Sequence, residues 1–108
     1  MTRVLLDEDL PVRLRHHFPE GVQVETVEYR GWKGLRNGAL LGFAAKAFDV
    51  FVTTDKNLQY QQNVAGRRLA ILVLPTTSWP VIRTHVTQVV AAVNEVRAGE
   101  LRELSFSE

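Results

Sequence analysis

The chain contains no cysteine, which removes disulfides, thiolate zinc sites and cysteine nucleophiles in one step. Long apolar runs are also missing. The longest are a handful of residues, against the ~20 that a membrane-spanning helix needs, and no apolar signal core stands near the N-terminus. A soluble, cytoplasmic protein is the expectation. Four prolines and seven glycines, without any low-complexity stretch, exclude a collagenous, mucin-like or linker-rich chain. Nor does one sign of charge dominate. Thirteen basic and twelve acidic residues give +1 overall, so bulk electrostatics neither demand nor forbid a nucleic-acid partner, and any such signal has to be local.

What remains is 108 residues with 45% hydrophobic and 23% charged content, enough for one domain spanning 1–108 and too little for two separate cores. Three nearly continuous apolar runs, Val4 to Leu6, Val50 to Val52 and Ala70 to Leu74, have the character of strands buried on both faces of a parallel sheet. A fourth, Val22-Gln23-Val24-Glu25-Thr26, alternates and belongs at an edge. Helical patterns separate them: Val12 to Phe18 behind Pro11, then Leu40 to Phe48 with Leu40, Leu41, Phe43, Ala44 and Ala47 near helical spacing. The clearest is a stripe of Ile82, Val86, Val89, Val93 and Val96 that starts at Pro80 and ends before Gly99. Leu101 to Phe106 is left as a short edge strand or a packed tail. The order predicts an α/β three-layer sandwich with a mostly parallel central sheet of four to five strands. With the alternating strand at an edge, the first strand lies between the second and the third. The chain then changes its direction of travel between strands one and three, which opens a ligand crevice beyond their carboxyl ends.

Both of those strands end in acid. The first runs into Asp7-Glu8-Asp9 and the third, through Thr53-Thr54, into Asp55-Lys56-Asn57. Asp7 and Asp55 are therefore expected to converge, and two converging carboxylates repel unless a cation lies between them. A hydrated Mg²⁺ or Mn²⁺ suits such a pair, with Asp9 as a third candidate ligand, because these cations take one or two carboxylates and keep other positions for water or phosphate oxygen. An ion of this kind activates water and polarises a phosphodiester. The plainer alternatives are that Asp9 caps the helix starting near Pro11 and that Asp-Lys-Asn is an ordinary turn.

The loop after the second strand, Glu28 to Asn37, gathers Arg30, Lys33 and Arg36 with Tyr29 and Trp32, and Lys56 adds a charge beside Asp55. Basic side chains that hold phosphates while an aromatic ring stacks on an unpaired base are the means by which single-stranded RNA is bound. The competing role for Trp32 is a lid over the core. His16, His17 and His85 lack metal-ligand spacing. Tyr60-Gln61-Gln62-Asn63 forms a polar cluster beyond Asp55, with a solvated connection as its simpler role. Thr77 and Ser78 are placed as caps before Pro80, and Gly31-Trp32-Lys33-Gly34 lacks the spacing and terminal residues of a phosphate-binding P-loop.

Three ordered motifs now carry a resemblance: Val4-Leu5-Leu6-Asp7-Glu8-Asp9-Leu10-Pro11, Gly31-Trp32-Lys33-Gly34-Leu35-Arg36-Asn37-Gly38, and Val52-Thr53-Thr54-Asp55-Lys56-Asn57-Leu58 followed by Tyr60 to Asn63. Over roughly residues 3–75 the chain resembles a small stand-alone bacterial branch of the PIN-like nuclease superfamily. The resemblance implies a PIN-like sandwich and Mg²⁺- or Mn²⁺-dependent RNA cleavage of the kind used by toxin components of toxin–antitoxin pairs. Asp7 and Asp55 match its acidic positions. An antitoxin protein or a second copy of the chain is the implied partner. The sequence departs from the pattern at one place. Where similar chains carry a carboxylate, as in Asn-Gly-Glu-Leu-Leu, this one has Asn37-Gly38-Ala39-Leu40-Leu41, and Ala39 cannot bind a cation. Glu8, Asp9 and Asn37 are the residues placed to compensate. A catalytically inactive RNA-binding or antitoxin-binding module is therefore the second expectation, and a phosphoacceptor receiver-like domain, which lacks a convincing C-terminal Lys here, a distant third.

Overall fold

A computed structural model of the protein describes residues 2–58 and 68–106. Five strands form one sheet: β1 (Thr2–Leu6), β2 (Val22–Thr26), β3 (Val50–Thr53), β4 (Ala70–Val73) and β5 (Leu101–Glu103). Every pairing is parallel and the order is β2-β1-β3-β4-β5. The alternating strand β2 is an edge, and β1 sits between β2 and β3, as its neighbours' patterns require. Two-sided burial follows the pleat. Val4 and Leu6 of β1, Val50 and Val52 of β3, and Ala70 and Leu72 of β4 face one apolar cluster. Leu5, Phe51, Ile71 and Val73 face the other.

The helical segments divide between these faces. Val12–His17 is a 3₁₀ helix rather than a longer α-helix, closed by Leu14 N–H donating to the Pro11 carbonyl and burying only Leu14 on the first face. Its end at Phe18, extended at φ −87° and ψ 145°, has a local cause: the residue before a proline, here Pro19, is excluded from helical geometry. Helix α1 (Asn37–Ala47) covers the second face with Leu40, Leu41 and Ala44. Phe43, placed on that apolar face by its spacing, is instead 47% exposed.

The final stripe is carried by two helices, α2 (Trp79–Thr84) and α3 (Val86–Glu95), both on the first face. The expected single helix breaks at His85, whose backbone sits at φ −121° and ψ 19°. The Val81 carbonyl, which an unbroken helix would offer to the His85 N–H, accepts the Thr84 hydroxyl at 2.8 Å and lies 3.0 Å from the His85 ring nitrogen, while the His85 N–H turns to the Ile82 carbonyl. Side chains that compete for a backbone acceptor interrupt a helix in this way. Ser78 is the N-cap residue of α2, but its side chain makes no capping hydrogen bond. Beyond α3, Leu101–Glu103 is a parallel edge strand and Leu104 and Phe106 pack on the first cluster, so strand and packed tail are both realised. Arg102 ties this edge to Glu95 at the end of α3 and to Glu100.

Leu72 lies on a central strand and is fully buried. Leu72→Ala is expected to lower the unfolding free energy by about 2–5 kcal/mol in a urea titration, as buried leucine truncations do.

Candidate functional site

The crossover from β1 to β2 runs through the 3₁₀ helix on one face, and the crossover from β2 to β3, on the other side of β1, runs through α1 on the opposite face. The crevice this creates at the carboxyl ends of β1 and β3 is where ligands bind in open α/β sheets. Asp7 stands one residue beyond β1, anchored by its N–H donating to the Val52 carbonyl at 2.9 Å. The pleat that sends Leu5 toward α1 also sends Asp7 that way, and the same alternation in β3 aims Thr53 there beside Phe51.

Thr53 is fully buried and is the one buried polar residue among those described. Its hydroxyl donates to Asp7 Oδ2 at 2.6 Å and accepts the Asp55 N–H at 3.1 Å. A single side chain thus joins the two acidic strand ends. The other Asp7 oxygen accepts the Glu8 N–H at 2.8 Å. Asp55 Oδ1 accepts the Asn57 N–H at 3.0 Å, so the turn expected of Asp-Lys-Asn is present, while Oδ2 accepts Asn37 Nδ2 at 3.2 Å. Asn37 is the first residue of α1, and the helix start therefore sets the orientation of Asp55.

Burial raises the pKa of Asp7 above the ordinary carboxylate value. The hydrogen bonds from Thr53 and Glu8 oppose the rise, and the charges of Asp9 and Glu8 add to it. Among the described residues no ion pair involves either Asp7 or Asp55. Each carboxylate oxygen spends one lone pair on the hydrogen bonds above and keeps another for a ligand.

Other expected site residues are placed differently. Asp9 is exposed in the turn that the Leu10 N–H closes onto the Asp7 carbonyl, and the nearby 3₁₀ helix has Pro11 rather than Asp9 at its cap. Among the described residues no group of three or more His, Cys, Asp or Glu side chains comes together to hold a metal. Arg30 is engaged by both oxygens of Glu25, at 2.8 and 3.0 Å, and lies over the rings of Trp32 and Phe48. Trp32 is half-buried, stacked on Phe43 at 5.6 Å and set edge-on to Phe48 at 6.2 Å. The lid role anticipated for Trp32 is thus the one its contacts describe. Lys33, Arg36 and Lys56 are exposed, and Arg36 immediately precedes α1, next to Asn37. Ala39 lies exposed in the first turn of the same helix. Tyr60, Gln61, Gln62 and Asn63 lie outside the described residues.

Thr53 had no assigned place in the acidic pair, and Asn37, expected as a substitute for the missing carboxylate, instead donates its amide N–H to Asp55. The signal for Thr53 was its parity with Phe51, which puts a hydroxyl on the same face as Asp7. For Asn37 it was a polar residue at a helix start, without a sequence cue that the helix would begin at this rim. Comparison with protein-family models, curated proteins and solved structures gives no match.

A carboxyl whose folded-state pKa is raised favours the folded protein most below its unfolded value and loses that contribution as the pH climbs through the folded one. Wild-type stability relative to Asp7→Asn is therefore expected to be greatest below the ordinary carboxylate range and to fall as the pH rises through the elevated pKa of Asp7, measured by urea unfolding from pH 3 to pH 7.

Proposed function

We propose that the protein is a metal-dependent ribonuclease of the PIN-like class, with single-stranded RNA as substrate and an antitoxin protein as its partner. The observation that carries this reading is the linkage of the Asp7 carboxylate to the backbone of Asp55 through Thr53 at the carboxyl ends of β1 and β3. The residues fit a hard divalent cation. All donors are oxygens, two of them carboxylates, and the burial of Asp7 is compensated by no cationic side chain among the described residues. Asp7 and Asp55 would hold Mg²⁺ or Mn²⁺, with the remaining positions left to water and phosphate oxygen. Bound there, such an ion supplies an activated water and polarises the phosphodiester.

The chain's own residues do the positioning. Thr53 holds Asp7 by one oxygen and fixes the backbone of Asp55, and Asn37 holds Asp55 from α1. Arg36 and Lys56, exposed and next in sequence to Asn37 and Asp55, would hold the backbone of an RNA strand. Arg30 and Trp32 shape the loop that presents them, through the Glu25 pair and the Trp32–Phe43 stack.

Purified protein incubated with single-stranded RNA and Mn²⁺ is expected to cleave it, and Asp7→Asn and Asp55→Asn each to slow cleavage by about 100-fold or more, at the upper end of what losing even an outer-shell partner costs. Cleavage unchanged in both variants overturns the assignment. Ala39 favours a second reading, a module that binds RNA or an antitoxin without cutting, because the first turn of α1 carries a methyl group at the position where the chains it resembles have a carboxylate. Ala39→Glu separates the two. Activity that appears only in this variant, in the same cleavage assay, identifies the natural chain as the binding module.

A further inference from the structure

The opposite rim of the sheet carries a second concentration of charge, of the other sign. At the amino ends of β1, β3 and β4 a cavity of about 240 Å³ is lined by Arg3, Lys46, Asp49 and Arg68 together with Ala45, Phe48 and Ala98. Its position follows from the topology. Arg3 is the second residue of β1, Asp49 immediately precedes β3, and Arg68 lies two residues before β4. Lys46 comes from the last turn of α1, which runs antiparallel to the strands and delivers its carboxyl end here. Arg3 and Asp7 are four positions apart on extended chain, so the cavity and the acidic strand end lie roughly 13 Å apart along β1.

Asp49 is already used by the fold. Its Oδ2 accepts the Arg3 N–H at 2.8 Å, and the Arg3 guanidinium reaches it only at 3.8 Å with both side chains about half exposed. Lys46 and Arg68 form no ion pair with any described residue. Among the described residues three cations therefore face one cavity against a single carboxylate, a local charge of +2 in a chain whose total is +1. Such a cluster repels itself until an anion enters.

We propose that this cavity binds a small phosphate monoester. The excess charge of +2 matches a phosphate dianion, which carries about −1.5 to −2 near neutral pH. Arginine supplies forked donors to phosphate oxygens and lysine a mobile point charge, the combination that phosphate groups take. Size sets the class of ligand. The volume is just below the ~300 Å³ at which small-molecule pockets begin, too little for a peptide strand but more than a bare phosphate fills, and Ala45 and Ala98 in the lining add a small apolar patch for the attached group. The ester is either a free molecule or the terminal phosphate of an RNA. The proposal stands apart from the nuclease reading, since it uses none of the residues at the acidic rim.

The test is an amide-shift titration of the whole protein with uridine 5′-monophosphate, inorganic phosphate and uridine. Saturable shifts at Arg3, Asp49 and Ala98 are expected with the two phosphates and not with uridine. Lys46→Ala and Arg68→Ala, both exposed and so without consequence for the fold, are each expected to weaken binding about tenfold. Asp7→Asn is expected to leave it unchanged. A 5′-phosphorylated oligouridylate that binds more tightly than its 5′-hydroxyl counterpart identifies the RNA end as the source, and equal weak binding of the two oligomers beside tight mononucleotide binding identifies the free ester. No saturation by about 10 mM, uridine binding as tightly as its monophosphate, or wild-type affinity in both alanine variants overturns the proposal.

Discussion

Burial of β1, β3 and β4 on both faces is the constraint from which the rest of this protein follows. A strand with Val4 and Leu6 on one side and Leu5 on the other has no face to give to water, so the sheet has to be covered twice. One chain covers both faces when its crossovers are divided between the two sides. The 3₁₀ helix, α2 and α3 take the first face and α1 takes the second. Reversal of travel at β1 is the geometric cost of that arrangement, and the crevice beyond β1 and β3 is its product.

The polar chemistry at that crevice is an extension of the same pleat. Thr53 occupies a position that alternation assigns to the core, and a buried hydroxyl has to find partners. It finds them in the Asp7 carboxylate and the Asp55 N–H. This one side chain turns two separately encoded strand ends into a connected unit. The arrangement is costly in isolation, because Asp7 is partly withdrawn from water with like charges at Glu8 and Asp9 beside it. The hydrogen bonds from Thr53 and the Glu8 N–H offset part of that cost.

The two rims of the sheet divide the charge of a nearly neutral chain. Acidic residues lie at the carboxyl ends of β1 and β3, while Arg3, Lys46 and Arg68 surround the cavity at the amino ends. Parallel topology makes this separation possible, since every strand enters from one rim and leaves by the other. Some basic residues contribute to structure instead. Arg30 closes on Glu25 and covers Trp32 and Phe48, which fixes the loop after β2 rather than leaving its charge free for phosphate.

Local patterning was sufficient for much of this. The parallel sheet, β2 as an edge, the placement of β1 between β2 and β3 and the adjacency of the strands that end in Asp7 and Asp55 were all legible, because continuous and alternating apolar runs report directly on how many faces of a strand are buried. Short-range competition was harder to see. The break at His85 depends on which donor wins the Val81 carbonyl, and the shortness of the 3₁₀ helix on how little it has to bury beyond Leu14. Pairing among loop residues was invisible for the same reason: Arg30 with Glu25, and Trp32 with Phe43, are choices among several partners of equal chemistry that only distance in the folded chain decides. The sequence by itself determined which residues lie inside and which strand ends are acidic. Only the tertiary structure decided that Thr53 joins those ends, that Asn37 reaches Asp55 from α1, and that three dispersed cations share one cavity at the far rim, because residues this far apart in the chain meet through packing rather than through period.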